Sequence, residues 1–512
     1  MPRCHGFLTF VPQEYIINIH KNFEDAVNFL IGRDGWRGDD AMAFHSAAFL
    51  FFFFPASFLI YYILPGIQWK NRFLVILSFI FYAFAQWQGI PILLLSALIN
   101  YSAGKLLDGG QKRRWVLIPA LTLNLLVLGC FKYIRFFADI LSGALDQNIE
   151  TPALLLPMGI SFFTFKGMSY VIDIYRGGTS ARRFSDALLY ISFFPQVSSG
   201  PITRFAGFAP QLQARTFSPE RTAKGLRRFI TGLGKKLLIS ALAAPVVNTV
   251  FSLGDGLDLR TAWLGAAAYT IQIYFDFSGY SDMAIGLGGM FGFDTPENFN
   301  YPYISASITE FWRRWHMSLS LWFRDYLYIP LGGGRCHKFR KALNKAIVFT
   351  LCGLWHGANW TFLLWGVWHG LFSALESLQI IDCKRLGRSA PGRVLCHFYT
   401  LLVVCLGFVI FRAADLTQAG VMFQALFTGF SFTPASTLAL CRVSPASWAA
   451  LAAGCVLSMP VGKSIASWTA KLPEGPRQAL RVCSYAGAAA LFALCVMAAA
   501  GGSFEPFIYA QF

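Results

Sequence analysis

The sequence predicts an all-α fold: a polytopic integral membrane protein with about ten to twelve membrane segments plus re-entrant and interfacial helices. Three observations carry that prediction. Of 512 residues, 55% are hydrophobic and only 13% are charged, whereas a soluble domain averages about 25% charged residues. The apolar residues fall in runs separated by short basic connectors, the arrangement that the positive-inside bias produces. Phe is abundant at 51 and Trp adds 14, which suits lipid-facing helices and interfacial belts.

The chain opens differently from how it continues. NIHKNFEDAVNFLIGRDGWRGDD is mixed and charged, with neither an apolar span nor a signal-peptide pattern. Met42 then begins MAFHSAAFLFFFFPASFLIYYILP, which has the form of a natural start for a polytopic protein. Residues 1–41 are therefore expected to be an over-long gene start or a small N-terminal extension, ahead of a transmembrane domain over 42–512. Peptides from upstream of Met42, sought by mass spectrometry, would rule out the over-long start.

Apolar spans follow closely: Ala47–Leu64, Phe73–Ala85, Ile90–Gly104, Trp115–Phe131, Leu154–Tyr175, Ala187–Gly200, Phe229–Phe251 and Ala262–Leu287. After an amphipathic stretch come Ala346–Leu375, Leu395–Phe411, Trp448–Met459 and Ala486–Ala500. A span needs about 20 apolar residues, and several of these are shorter or interrupted. Such segments predict half-helices that line a cavity. The connectors GIQWKNR, QKRRW, IYRGGTSARR, PERTAKGLRRF, GGGRCHKFRKALNK and DCKRLGRSAPGRV are candidate cytoplasmic loops. Phe423–Pro445 carries little positive charge and is a periplasmic candidate.

The net charge of +17 does not imply nucleic acid, because the basic residues sit in these loops and no soluble face carries them. Eleven cysteines are scattered, many inside apolar runs, without a CxxC pair or zinc spacing. They read as small apolar packing residues, and no metal site is expected.

Two histidines stand out against this background. From Ile308 to Tyr326, apolar residues including Trp315 recur at three- and four-residue steps, the signature of one helical face. Glu310 and Arg314 are spaced for an i,i+4 pair on the other side. His316 falls at the edge of the apolar stripe, as a site residue or as a boundary residue bonded to a backbone carbonyl. In Ala346–Leu375, His356 lies roughly 15 Å along a continuous helix, near the midplane of a roughly 30 Å layer. There it must face a polar cavity or a partner helix, because ionisable groups at that depth are costly. A neutral imidazole kept from water can serve as a general base. Asn359 follows on a neighbouring face. His369 repeats the WHG context roughly 20 Å further along and is read as structural. His5, His20, His45, His337 and His397 are assigned no role.

A second polar cluster, IQIYFDFSGYSDMAIGLGG, sets Asp276, Ser278, Tyr280 and Asp282 inside an apolar helix. The acids either line a reaction chamber or pair with basic residues such as Arg204 or Arg313. GLGGMFG lacks the strand and βαβ unit of a dinucleotide fingerprint, and LGGGR reads as a turn.

With these residues in hand, the chain resembles the membrane-bound O-acyltransferase family, in particular its alginate O-acetylation branch. The matching text is LPMGISFFTFKGMSYVIDIYRG, FFPQVSSGPITRF, QIYFDFSGYSDMAIGLGGMFGF, NFNYPYISASITEFWRRWHMSLSLWFRDYLYIPLGG and LWHGANWTFLLWGVWHG, from about Leu156 to Gly370. The resemblance implies a bowl of tilted helices around a funnel, with His356 catalytic and His316 lining the same site. It implies a multi-pass protein of the bacterial inner membrane that acetylates an exported, alginate-like polysaccharide. The donor would be acetyl-CoA or another acyl thioester arriving from the cytoplasm as substrate, with no bound cofactor. A periplasmic acetyltransferase of the SGNH-hydrolase type would be the partner, among membrane lipids and without nucleic acid. His316, Asn359 and Tyr280 are candidate oxyanion donors, and Asp276, Ser278 and Trp315 are further substrate-contacting candidates. Peptidoglycan, cellulose or an O-antigen are alternative acceptors, teichoic-acid D-alanylation is a more distant branch, and a transporter or flippase is the rival from another class. A transporter should tolerate His356→Ala in part and show substrate-dependent flux.

Overall fold

The computed structural model describes residues 42–109, 113–500 and 507–508, so the expectation for residues 1–41 lies outside the described residues. Among the described residues every regular element is a helix. Helix α1 (Ala48–Ile63) ends at Leu64, whose extended backbone is what a following proline requires. Then come α2 (Gly66–Gln86), α3 (Ile90–Leu107), α4 (Arg114–Lys132), α5 (Ile134–Leu145), α6 (Ile160–Tyr175), α7 (Phe184–Ser192) and α8 (Phe205–Gln213). Helix α6 is buried almost throughout, whereas α4 turns Leu123, Leu125 and Leu126 outward. Between them Asn100 and Asn124 exchange two amide hydrogen bonds of 3.0 Å, which clamp α3 to α4. Paired in this way, neither amide is left unsatisfied in an apolar wall.

Helix α9 (Pro219–Phe251) lies against α10 (Leu259–Met290). Their contact is backbone on backbone: a Cβ at Gly232 would lie 2.5 Å from the Gly279 oxygen, and one at Gly286 2.5 Å from the Gly225 oxygen. Small residues let membrane helices approach this closely.

Two expected helices are broken, and both breaks matter for the site. The stretch Ile308–Tyr326 is not one amphipathic rod but α11 (Ile308–Phe311), a turn, and α12 (Met317–Phe323) with a π turn over Arg324–Tyr328. The expected ion pair is present, with Arg314 Nε donating to Glu310 Oε1 at 2.9 Å. The stretch Ala346–Leu375 is a hairpin of α13 (Lys338–His356) and α14 (Trp360–Ser377). Glycines again set the approach, because a Cβ on Gly353 would sit 2.3 Å from the Phe362 oxygen.

The chain finishes with α15 (Cys383–Leu386), α16 (Ala390–Arg412), α17 (Leu416–Thr428), α18 (Pro434–Cys441), α19 (Pro445–Leu457), α20 (Val461–Thr469) and α21 (Glu474–Ala500). Thus Phe423–Pro445 contains helix where a connector was expected. By length and composition, 5 helices among the described residues can cross a membrane, or up to 6 if the pair α18 and α19, bent by 83°, counts as one span. Helix α10 is unbroken over 32 residues but is not one of these; several of the other apolar runs are shorter or broken, as the interrupted runs predicted.

The basic connectors meet on one face. Ser180 Oγ donates to Asp108 Oδ2 at 2.7 Å, and Arg183 reaches Gln68 at 3.4 Å. Arg215 reaches Asn71 at 2.5 Å, Arg176 donates to the Asp325 carbonyl at 3.2 Å, and Lys338 donates to Gln379 at 2.5 Å. Loops far apart in sequence are therefore tied to one another across the fold.

Candidate active site

Helix α13 starts at that basic face with Lys338 and becomes apolar at Ala346; His356, its last residue, lies roughly 15 Å beyond Ala346. The helix stops there, so the continuous rod expected through His356 is broken at that residue. Gly357 is extended, and a Cβ on it would meet the Phe362 ring at 2.3 Å. Asn359 Oδ1 then accepts from Thr361 N–H at 3.1 Å as the N-cap of α14, while its Nδ2 donates to the Ala414 carbonyl at 2.8 Å. Both ends of that amide serve the turn, and Asn359 is not brought to the imidazoles as an oxyanion donor.

The end of α13 leaves backbone carbonyls without helical partners, and α4 supplies donors for them. Lys132 Nζ donates to the carbonyls of Trp355 at 2.7 Å and His356 at 3.0 Å, and Tyr133 Oη donates to that of Leu354 at 2.7 Å. A cation at a helix C-terminus also meets the negative end of the dipole. Sequence reasoning missed Lys132; a lone lysine closing an apolar span was the available signal. The His356 ring is buried among Trp355, Trp365 and Phe411, with centroids 5.0, 4.9 and 5.3 Å away.

His316 arrives from the other broken helix. It occupies the N-cap of α12 with φ 42° and ψ 54°, a left-handed conformation that side chains other than glycine seldom adopt and that clusters at functional sites. It is buried, not at a boundary. Its Nδ1 lies 3.0 Å from Asn298 Oδ1, a side-chain amide in place of the expected backbone carbonyl. The ring faces Phe277 at 4.7 Å, Phe162 at 6.4 Å and Trp355 at 6.3 Å. Trp355 is thus shared with His356, and His356 lies within electrostatic range of both His316 and Lys132. The structure brings together the two histidines singled out in the sequence, from elements that the chain separates.

The remaining candidates divide. Trp315 is a core residue packed on Tyr274, Phe299, Phe311 and Phe408. Asp276 pairs with Lys236, and Asp282 with Lys235 at 2.6 Å and Arg228 at 2.9 Å. The acids therefore do find basic partners, but not Arg204 or Arg313; Arg204 pairs instead with Asp325. Tyr280 Oη is hydrogen-bonded to Ser198 Oγ, and its ring stacks on Phe507 at 4.6 Å. His369 does not lie further along one rod: the hairpin folds it back, and Trp365 separates it from His356 with centroids 5.1 and 4.9 Å away. Its Nε2 points at the α16 backbone, where a Cβ on Gly407 would come within 2.6 Å, which fits a structural role.

A cavity of about 880 Å³ adjoins the site. Arg228, Lys235, Glu297 and Lys463 stand among its polar lining, and Leu238, Ile239, Ile285 and Leu491 give it an apolar wall. It reaches Ser278, Ser281, Asn298 and Met317, so its inner end lies directly behind His316. Ser278 Oγ is buried with no hydrogen-bond partner among the described residues. No group of three His, Cys, Asp or Glu among the described residues is placed to hold a metal ion.

Comparison with known proteins identifies the chain's relatives. The model of the membrane-bound O-acyltransferase family matches residues 120–413, which include both histidines and Asn298. A probable alginate O-acetylase AlgI of Azotobacter vinelandii is 39% identical over 509 residues, covering 92% of this chain and 100% of that protein. A namesake from Pseudomonas aeruginosa is 44% identical over 403 residues, or 76% of this chain and 75% of that protein. The peptidoglycan O-acetyltransferase of Helicobacter pylori is 34% identical over 414 residues, 74% of this chain and 78% of that protein.

Proposed function

Because this chain belongs to the membrane-bound O-acyltransferase family, we propose that it is a membrane O-acetyltransferase that acetylates an exported, alginate-like polysaccharide. The observation that carries the reading is the convergence of His316 and His356 on the Trp355 ring, from two broken helices, inside an apolar wall. Breaking a helix at membrane depth exposes polar backbone and is tolerated only where protein or a cavity receives it. Here both breaks fall at an imidazole.

In the proposed reaction His356 takes the proton of the acceptor hydroxyl as its oxygen attacks the thioester carbonyl. The carbon–sulfur bond then breaks, and the proton held on the imidazole passes to the departing sulfur. A positioned base of this kind contributes about 10²- to 10⁴-fold. The donor, acetyl-CoA or another acyl thioester, enters through the cavity behind His316 as a substrate. Its polar lining, with Arg228, Lys235 and Lys463 against Asp282 and Glu297, suits an anionic head, and its apolar wall suits the arm that carries the acyl group. The cavity's Arg228 belongs to one of the basic connectors, so entry is from their side, the cytoplasm under the positive-inside bias. The acceptor approaches from the opposite side of an inner membrane, where a periplasmic SGNH-type acetyltransferase receives the acetyl group.

The test is a deletion strain complemented with wild type, His356→Ala or His316→Ala, scored by the acetyl content of its envelope polysaccharides. His356→Ala should lose transfer by on the order of 10²-fold or more; full restoration by that variant rejects the assignment. The Helicobacter pylori relative favours peptidoglycan as a second acceptor, so acetyl esters are measured on exopolysaccharide and peptidoglycan separately.

A further inference from the structure

The proposed reaction leaves open what His316 offers to the substrate, and the hydrogen bonds around Asn298 answer that. Ser318 N–H, which can only donate, reaches Asn298 Oδ1 at 3.2 Å. That contact fixes which end of the Asn298 amide is the oxygen. Two further bonds agree with it. Ser318 Oγ accepts from Ile202 N–H at 3.1 Å and so sends its own proton to Asn298 Oδ1, 2.9 Å away. Asn298 Nδ2 donates to Ser281 Oγ at 3.1 Å.

The same oxygen lies 3.0 Å from His316 Nδ1. An amide oxygen has no proton to give, so the proton in that bond is on Nδ1. In a neutral imidazole one nitrogen donates and the other accepts, and Nε2 is therefore the acceptor. The main chain holds the same geometry, since Met317 N–H donates to the Asn298 carbonyl at 2.9 Å and His316 is kept left-handed. Asn298 is itself buried, and hydrogen bonds to a group shut away from water are seldom exchanged.

We propose that Asn298 is a positioning residue that locks His316 in its Nδ1–H tautomer, so that His316 meets the reactants as a hydrogen-bond acceptor. His316 is thereby withdrawn from the candidate oxyanion donors. An acceptor beside His356 can instead hold the acceptor hydroxyl for attack. The inference rests on the proposed acyl transfer for its consequence, but not for the tautomer itself, which follows from the bonding pattern.

The experiment keeps the two apart. Full-length protein with ¹⁵N-histidine is reconstituted in lipid, and solid-state NMR reads the protonation of each His316 nitrogen, assigned by comparison with His316→Gln. The expected spectrum has a protonated Nδ1 and an unprotonated Nε2; the reverse tautomer overturns the proposal whatever the activity. Asn298→Ala should mix the two tautomers. It should lower kcat for acetyl transfer at least about tenfold, towards the roughly 10⁴-fold that a wrong tautomer of a catalytic histidine can cost. An unchanged spectrum and kcat in that variant also overturns it. If Asn298→Ala does not fold, the wild-type spectrum alone decides. A protein with the expected spectrum and no acetyl transfer would sink the proposed function and leave the tautomer standing.

Discussion

Lys236 and Asp276 are joined in the interior with side-chain exposures of 6% and 1%, and each would be expensive there alone. Asp276 is satisfied further by Ser240 Oγ at 3.3 Å and by Ile508 N–H at 2.9 Å. Lys236→Met leaves the carboxylate with two neutral donors and should destabilise the protein by about 3–5 kcal/mol. Lys236→Met with Asp276→Leu should recover at least half of that, because a buried pair replaced whole is often nearly neutral. Thermal unfolding in detergent compares the three; a double variant as unstable as the single one would refute the account. The sequence carried half of this pair openly. An aspartate inside an apolar helix demands a cation, but which one depends on helix packing, and the lysines of GLGKKLLIS in α9 face it across the glycine contact. Asn298 was illegible for the same reason, and Lys132 showed only as a lone lysine closing an apolar span: each acts on atoms that other segments bring to it.

At the scale of elements, the hairpin of α13 and α14 holds His356 at the end of a helix. Its apolar run reads as continuous because hydropathy does not register a turn made of Gly357, Ala358 and Asn359. The signal was present as chemistry: glycine after the last turn, then an asparagine two residues before a threonine whose N–H it caps. The same holds for Ile308–Tyr326, where a faultless apolar period concealed the left-handed His316. Periodicity reports which face is buried and says little about where the backbone breaks. The hairpin depends on Gly353 and Gly366, whose added Cβ atoms would meet the Phe362 and Phe349 oxygens at 2.3 and 2.5 Å. Gly353→Ala should cost about 1–3 kcal/mol through overpacking and reduce acetyl transfer with it. Asn359→Ala should cost about 1 kcal/mol as a lost cap and leave more activity than Gly353→Ala. Unfolding midpoints and acetyl content in matched membrane preparations check the order; a reversed order would place Asn359 in the chemistry after all.

At the scale of the whole molecule the basic connectors make one face, bound together through Asp108–Ser180, Gln68–Arg183 and Arg176–Asp325. This was the most legible feature, since charge between apolar runs is local in sequence and needs no packing to be read. Its consequence is a topology. Helix α4 leaves that face at Arg114 and ends at Lys132, a rise of about 28 Å. After α5 the exposed segment 146–150 follows, and α6 returns to Arg176 on the basic face. Residues 147 and 182 must therefore lie on opposite sides of the layer. Under the positive-inside bias, Gln147→Cys in a cysteine-depleted background should react with an impermeant maleimide in cells whose outer membrane alone is opened. Arg182→Cys should react only once the inner membrane is broken as well. The opposite pattern would place the cavity mouth at Arg228 outside the cell, where no cytoplasmic thioester could reach it, and the direction of transfer argued from that mouth would fail with it.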